Sequence, residues 1–470
     1  MFAARTVLFA VYMFLYTTTL QLGSSAAAEV LPARQQEQLY YVQQIFLLLG
    51  FVSFAALHRP LRTARRRRAL TAAAAFIFAA GVAVLFAVRS DAVCRCVAPA
   101  TVLCLAYLGA LVYWRMSEAA GRGGRIGASM GVGAAAAYAM QFLMQIWRGG
   151  AALLPAAMLA AFAAMAYLLL RETADAAGSP EAGAPQERAS TLSLVCACVA
   201  AAALVLLNCF YDGYIVHMQA ASNNAYSALS LPRLLLVPCS LLFGLIGDVS
   251  SGRYFPFAVL CAVLVTLLNP ALAEGADAYL LNMCLFYVGV AATISYYNLT
   301  FWRLAPRTRR PELWAGMGRV INGIVGVALG MLHFSGGSQA AVLGADAAAL
   351  AALVAAMALD GKLSFAPALA AHTPEAAAVP ASPPPDAEPK TEETPPDPFA
   401  VMKGKYGLTD REVLVLRELV LTEDIQPVIG DRLSIKVSTV QSYVTSLYRK
   451  TGVSTRVGLS DLYHEALRHG

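Results

Sequence analysis

The sequence predicts an all-α membrane protein: a bundle of about twelve spanning helices followed by a small helical domain of a different character. Three observations carry this. Hydrophobic residues make up 58% of the chain and charged residues 14%, with a mean hydropathy of +0.59; a soluble domain is about 25% charged. The apolar residues come in runs near the length that a bilayer core demands. After residue 360 the hydrophobicity stops, and a Pro- and Glu-rich stretch leads into a charged, amphipathic end.

The twelve apolar segments run approximately over 6–22, 39–57, 69–88, 96–114, 126–147, 151–170, 190–211, 234–249, 254–272, 278–302, 315–333 and 339–359. Backbone groups in lipid must pair internally, so each is read as a helix. The first has a rival reading: Arg5, an apolar stretch and then Ser24-Ser25-Ala26-Ala27-Ala28 have the form of a cleavable signal peptide.

Positive residues set the orientation. The loop after the second segment carries Arg59, Arg62 and Arg65 to Arg68, and the other even-numbered loops carry Arg115, Arg122, Arg125, Arg171, Arg188, Arg253, Arg303, Arg307, Arg309 and Arg310. The odd-numbered loops hold only Arg34, Arg89, Arg95, Arg148 and Arg233. Arginine-rich short loops stay inside, so both termini are expected in the cytoplasm. The run of arginines at 65–68 is read as a topology determinant beside anionic lipid.

The polar loop 171–189 divides the spans six and six, giving a membrane domain 1–359 with halves 1–170 and 190–359. Gly244, Asp248, Gly252 and Arg253 follow the spacing Gly-x-x-x-Asp-x-x-Gly-Arg after the eighth segment. Together these resemble the major facilitator superfamily, whose halves are helical repeats around a central cavity. The corresponding first-half loop departs from the pattern, being mainly arginine. The resemblance implies that Asp248 and Arg253 lie at the interface between halves. There the acid can meet a base or a helix N-terminus, with Arg125 as a candidate partner. Gly127-x-x-x-Gly131 and Gly326-x-x-x-Gly330 place glycines on one face of two helices, read as close intramolecular packing rather than dimerisation.

Polar residues inside spanning helices are costly and mark candidate cavities. Gln43, Gln141, Gln145, Asn208, Tyr211, Asn282, Tyr297 and Asn298 are the candidate ligand-binding residues, with Tyr296 and Trp302 nearby and Asp346 as a candidate proton site. Interhelical hydrogen bonding is the competing use of each. The nine cysteines fall mostly in apolar runs without zinc spacing, so no metal or cofactor is expected. No phosphate loop, receiver domain or catalytic triad is legible, and the chain is not read as an enzyme.

Residues 360–400 are a linker, and 375–398 is too rich in Pro, Ala and Glu to bury a core. In 401–470, Thr409 to Glu412 form a capping box, and Val415, Leu416, Leu419 and Val420 share one helical face. Pro427 opens a second helix, Ser438 to Lys450 form a third, Gly452 stops it, and a fourth starts near Ser454. This is a helix-turn-helix layout.

Leu408-Thr409-x-Arg411-Glu412, Ile429-x-x-x-Leu433, Thr439-Val440 and Arg449-Lys450-x-Gly452-Val453 resemble the LuxR-type helix-turn-helix of bacterial regulators. One residue is inserted between the first and second helices. Gln441 and Tyr443 stand where the family often has a basic residue and His, and Lys436 where a small capping residue is usual. The resemblance implies that the third helix enters the major groove of promoter DNA. Gln441, Ser442 and Thr445 would then read bases, beside Ser438 and Thr439, while Lys436, Arg449 and Lys450 contact phosphate. Ten basic against eight acidic residues in 401–470 leave a net of +2, too little for strong unaided binding. The family pairs through its fourth helix, where Val457, Leu459, Leu462 and Leu467 offer apolar surface.

The expectation is a bacterial inner-membrane, one-component transcriptional regulator, a homodimer on double-stranded DNA whose body senses an unknown small molecule. The alternative is a secondary transporter of a small solute with an appended regulatory tail.

Overall fold

In a computed structural model the described residues are 2–61, 63–146, 153–175, 188–222, 231–252, 254–272, 276–331, 339–361, 397–421, 429, 433, 437–453 and 456–469. The chain divides into two compact units, Met1–Ala370 and Ala371–Gly470.

Each apolar run forms a helix because nothing else satisfies its backbone in lipid. The first unit contains α1 (Phe2–Val30), α2 (Ala33–His58), α3 (Ala64–Ala87), α4 (Ala98–Gly121), α5 (Ile126–Ile146) and α6 (Leu153–Asp175). It continues with α7 (Thr191–Ser222), α8 (Leu236–Asp248), α9 (Phe255–Leu272), α10 (Ala276–Leu304), α11 (Met317–Met331) and α12 (Gln339–Leu359). Eight of the described helices are long and apolar enough to span a bilayer, and shorter apolar stretches lie within α6, α9, α11 and α12. Phe76 on α3 is 75% exposed and Leu159 on α6 is 66% exposed, as befits faces turned to lipid. The chain is a multi-pass membrane protein.

The packing pattern repeats after six helices. In the first half α1 packs on α4, α5 and α6, α2 on α4, and α3 on α4. In the second half α7 packs on α10, α11 and α12, α8 on α10, and α9 on α10. Each of these contacts in the first half has its counterpart six helices later. The halves meet through α5–α8, α2–α11 and α4–α10, and the first two of these pairs exchange under the same six-helix shift.

Glycines set the α5–α8 distance. A Cβ on Gly131 would lie 2.6 Å from the Ser240 carbonyl, and one on Gly244 would lie 2.7 Å from the Gly131 Cα. The small residues at 127 and 131 therefore serve intramolecular packing. The other pair splits: Gly330 lies against the Tyr41 ring, whereas Gly326 faces open space.

The second unit has its own core. It contains α13 (Pro398–Tyr406), α14 (Asp410–Leu421), α15 (Val437–Thr451) and α16 (Arg456–His469). Val415, Leu416, Val440, Leu447 and Leu459 form its centre, with Phe399 and Met402 from α13. Two expectations need correction. Composition extends the linker to residue 400, but α13 starts at Pro398, because the Asp397 carboxylate accepts the Phe399 N–H at 3.1 Å and Pro398 fits the first turn. Leu459, expected on a dimer surface, is wholly buried in the unit's own core, and Leu462 packs against that core. Val457 and Leu467 lie outside the described side chains, as does most of the helix expected from Pro427; within it, the Leu433 N–H donates to the Ile429 carbonyl at 2.9 Å. Gly452 takes φ +75° and ends α15, a left-handed position suited to glycine.

Candidate functional site

The most unusual group in the body is Arg319, on the first turn of α11 and 4% exposed. Its Nε donates to the Tyr113 hydroxyl of α4 at 2.8 Å. Its terminal nitrogens have weaker partners: Tyr16 Oη at 3.5 Å and Met13 Sδ at 3.4 Å, both on α1. The guanidinium carbon lies 4.6 Å from the Tyr16 ring centre and 5.7 Å from that of Tyr297 on α10. Among the described residues no Asp or Glu pairs with it.

Magnitudes show that this charge is poorly compensated. Desolvating an ion costs several kcal/mol even after relaxation. A desolvated cation–π contact returns about 2 kcal/mol, and a good hydrogen bond to a charged group about 1.5–3 kcal/mol. Only the bond to Tyr113 has good length, and a thioether is a weak acceptor. Arginine cannot escape by losing its proton. The site therefore favours an anion.

Aromatic rings surround it. Tyr113 meets Phe9, Tyr12, Phe51 and Trp302 at centroid distances of 5.2–6.2 Å, mostly edge-on. The Tyr12 and Tyr297 hydroxyls and the Trp302 indole N–H are buried with no hydrogen-bond partner, a cost buried polar groups normally avoid. Sequence alone does not single out Arg319. Its signal is a single charge near the start of the eleventh apolar segment, easily taken for a loop residue.

Of the expected ligand residues, Tyr297 and Asn298 are buried on α10 and Tyr297 faces Arg319. Gln141, Asn208, Tyr211 and Asn282 pair elsewhere. Gln141 donates to Gln21 Oε1 at 3.1 Å, joining α5 to α1. Tyr211 donates to Asn282 Oδ1 at 2.5 Å, and Asn208 donates to the Thr293 hydroxyl, both joining α7 to α10. Gln43 packs against Gly23 of α1, and its Oε1 is buried with no hydrogen-bond partner. The bonds of Gln141, Tyr211 and Asn208 are interhelical ties, the competing use of such residues. The Gln145 side chain and Arg253 lie outside the described residues. Asp346 Oδ1 is buried without a hydrogen-bond partner on α12.

Two polar clasps join the halves at helix ends. Asp248 ends α8 and caps α5: its Oδ1 accepts the Gly127 N–H at 2.9 Å and its Oδ2 the Ala128 N–H at 2.7 Å. The base beside it is Arg303, at 3.4 Å, rather than Arg125. Arg125 is exposed one residue ahead of α5. At the equivalent α2–α11 contact the charges are exchanged. Arg59, after α2, pairs at 2.5 Å with buried Glu312 on the turn before α11.

Asp248→Ala should remove a cap from α5 and an anion from its dipole, weakening the α5–α8 closure by about 2 kcal/mol. Ser129 is buried on α5 beside this clasp. In a cysteine-free background, Ser129→Cys should react roughly 30-fold faster with a maleimide when Asp248→Ala is added. Unchanged labelling would mean that the clasp does not hold the halves.

In the second unit the capping box is present. The Glu412 carboxylate accepts the Thr409 N–H at 2.8 Å, and Thr409 Oγ1 accepts the Glu412 N–H at 3.3 Å. Glu412 also accepts from the Ser446 hydroxyl and the Lys450 ammonium, each at 2.7 Å, which ties α14 to α15. Burial pushes the Glu412 carboxyl up, but these donors outweigh it and bring it down to about 2. On α15, Val440, Val444 and Leu447 are buried, while Gln441, Ser442, Thr445 and Arg449 are exposed. Thr439 is half-buried, and the Ser438 side chain and Lys436 lie outside the described residues.

No family model and no curated protein matches the chain. A solved structure does: the human organic anion transporter MFSD10 (TETRAN), with a TM-score of 0.51, 13% identity, and coverage of 76% of this chain and 98% of that one. The body has a major-facilitator-like fold. At this identity the likeness extends to architecture alone. The repeated six-helix packing and the paired α5–α8 and α2–α11 contacts are what that architecture requires.

Proposed function

We propose that the protein is a membrane-embedded regulator. A facilitator-like body binds a small molecule between its halves, and the cytoplasmic C-terminal unit binds promoter DNA in the manner of the LuxR-type domains its sequence resembles. The reading places the chain in a bacterial inner membrane with both termini inside. One observation supports it above the rest: α15 presents Gln441, Ser442, Thr445 and Arg449 outward over a buried Val440, Val444 and Leu447 stripe. Polar side chains on an outward helix face suit base edges, Gln matching adenine. In this reading Lys450, tied to Glu412, contributes more to the fold than to phosphate binding, and Arg449 is the phosphate contact. Pairing on DNA uses fourth-helix residues other than Leu459. A ligand controls the output only if it binds two poses of the body with different affinity.

Full-length protein should enrich discrete promoters when cross-linked to DNA in cells. Gln441→Ala with Thr445→Ala should remove that enrichment, because losing base contacts worth about 1–3 kcal/mol each erases a modest specificity. Equal enrichment by the double variant would refute direct reading by this face.

The fold likeness by itself favours a second reading, a secondary transporter with an appended tail, and it supports that reading better than it does DNA binding. The solved neighbour is named for organic anions, which describes that protein. Net uptake of a solute into vesicles, lost in Arg319→Gln, would support transport here; saturable binding without uptake would support the regulator.

A further inference from the structure

We propose that Arg319 is the centre of an anion site between the halves, taking the carboxylate of a small organic monoacid. The proposal rests on the reading that the body binds a small molecule, and it names that molecule's class. The guanidinium spends its Nε on Tyr113, while its two terminal nitrogens meet only a hydroxyl at 3.5 Å and a thioether at 3.4 Å. That terminal edge is the one a carboxylate engages through two parallel hydrogen bonds, and such weak partners are readily displaced.

Two independent features agree. The Tyr297 hydroxyl and the Trp302 N–H are donors buried without a partner, on two turns of the helix that borders Arg319. Both would gain an acceptor from a bound anion. Arg319 is the one cation in contact with these rings among the described residues, so one negative charge balances the site. The aromatic walls, Phe9, Tyr12, Tyr16 and Trp302, suit an apolar body behind the head group. The side chains come from α1 and α4 of one half and α10 and α11 of the other, so an occupant bridges both. The cluster is fully buried, and a ligand reaches it only in another pose of the halves.

The test uses full-length protein in detergent, with sodium benzoate and its neutral isostere benzamide as probes, then acetate and hexanoate. Thermal unfolding and Trp fluorescence are the readouts. Benzoate or hexanoate should raise the unfolding midpoint and benzamide should not. Arg319→Gln should abolish the shift, and Arg319→Lys, which keeps the charge without the fork, should weaken binding at least about tenfold. Tyr297→Phe removes a hydroxyl that has no partner in the ligand-free protein. It should leave the ligand-free midpoint unchanged or higher yet weaken carboxylate binding several-fold, a combination that a purely structural Tyr297 would not produce. If Arg319→Gln fails to fold, Arg319→Lys and Tyr297→Phe decide. No response to any carboxylate, or an equal response in wild type and the Arg319 variants, overturns the anion site. Benzamide acting equally on wild type and variants overturns it too, while leaving the body a receptor for some solute. Promoter enrichment is measured separately and stands or falls by itself.

Discussion

Gly244→Val should unfold or separate the two halves of the membrane body. A Cβ at 244 would fall 2.5 Å from the Gly127 carbonyl and 2.7 Å from the Gly131 Cα. Both neighbours are backbone on α5, so no flexible side chain can move aside. Overpacking usually costs about 1–3 kcal/mol; against a rigid helix the upper end, about 3 kcal/mol, is expected. The displaced helix would also pull Asp248 from the α5 N-terminus, since Asp248 lies one turn after Gly244. The measurement is the thermal midpoint of the purified full-length protein, with size-exclusion to detect loss of a monodisperse body. Gly326→Ala is the control with the opposite sign. It meets nothing within 4 Å, and alanine is favoured over glycine within a helix by about 0.5–1 kcal/mol. A stable Gly244→Val protein, or a destabilised Gly326→Ala protein, would contradict the glycine-set approach of α5 and α8.

Glu412→Gln should loosen the C-terminal unit by about 2 kcal/mol. One carboxylate closes the α14 capping box and receives Ser446 and Lys450 from α15. It is 4% exposed, so water does not replace a lost partner. The amide keeps the shape and removes the charge, leaving Lys450 facing a neutral group. Hydrogen exchange in peptides over α14 and α15 of the full-length protein should quicken roughly 30-fold, while peptides from α1 to α12 are unchanged. The same carboxyl sets a pH dependence. Its folded value, about 2, lies below its ordinary 4.5, so the unfolded state binds the proton more tightly. The contribution is complete above about pH 4.5 and is lost as the pH falls towards 2. Exchange corrected for its intrinsic pH dependence should show this loss in wild type and not in Glu412→Gln.

Much of the architecture is legible from residues alone. Apolar runs near the bilayer thickness place the helices, because lipid leaves the backbone no other partner. Thr409-x-x-Glu412 announces the start of α14, and Gly452 the end of α15. Asp248 ends an apolar segment, where an acid can meet a helix N-terminus, and it caps α5. Local patterns fail where a partner lies far away in the chain. Arg303 and Arg125 are equally basic loop residues by sequence, and only folding brings Arg303 within reach of Asp248. Leu459 has the same apolar character whether it faces a second subunit or its own core, and the packing of α14 and α15 decides for the core.

Arg319 marks the boundary most sharply. Its charge, its segment and the neighbouring tyrosines are all written in the sequence. Whether a guanidinium near a helix start rests in water, pairs with an acid or stays enclosed depends on what three other helices bring to it. Here α1, α4 and α10 bring phenols, a thioether and rings, and among the described residues no carboxylate. Periodicity and hydrophobicity act over a few turns, and they determined the helices, the six-and-six division and the amphipathic tail. Charge compensation acts through space across segments hundreds of residues apart, so only the tertiary structure decided which buried charges are paired and which, like Arg319, are left in need of a partner.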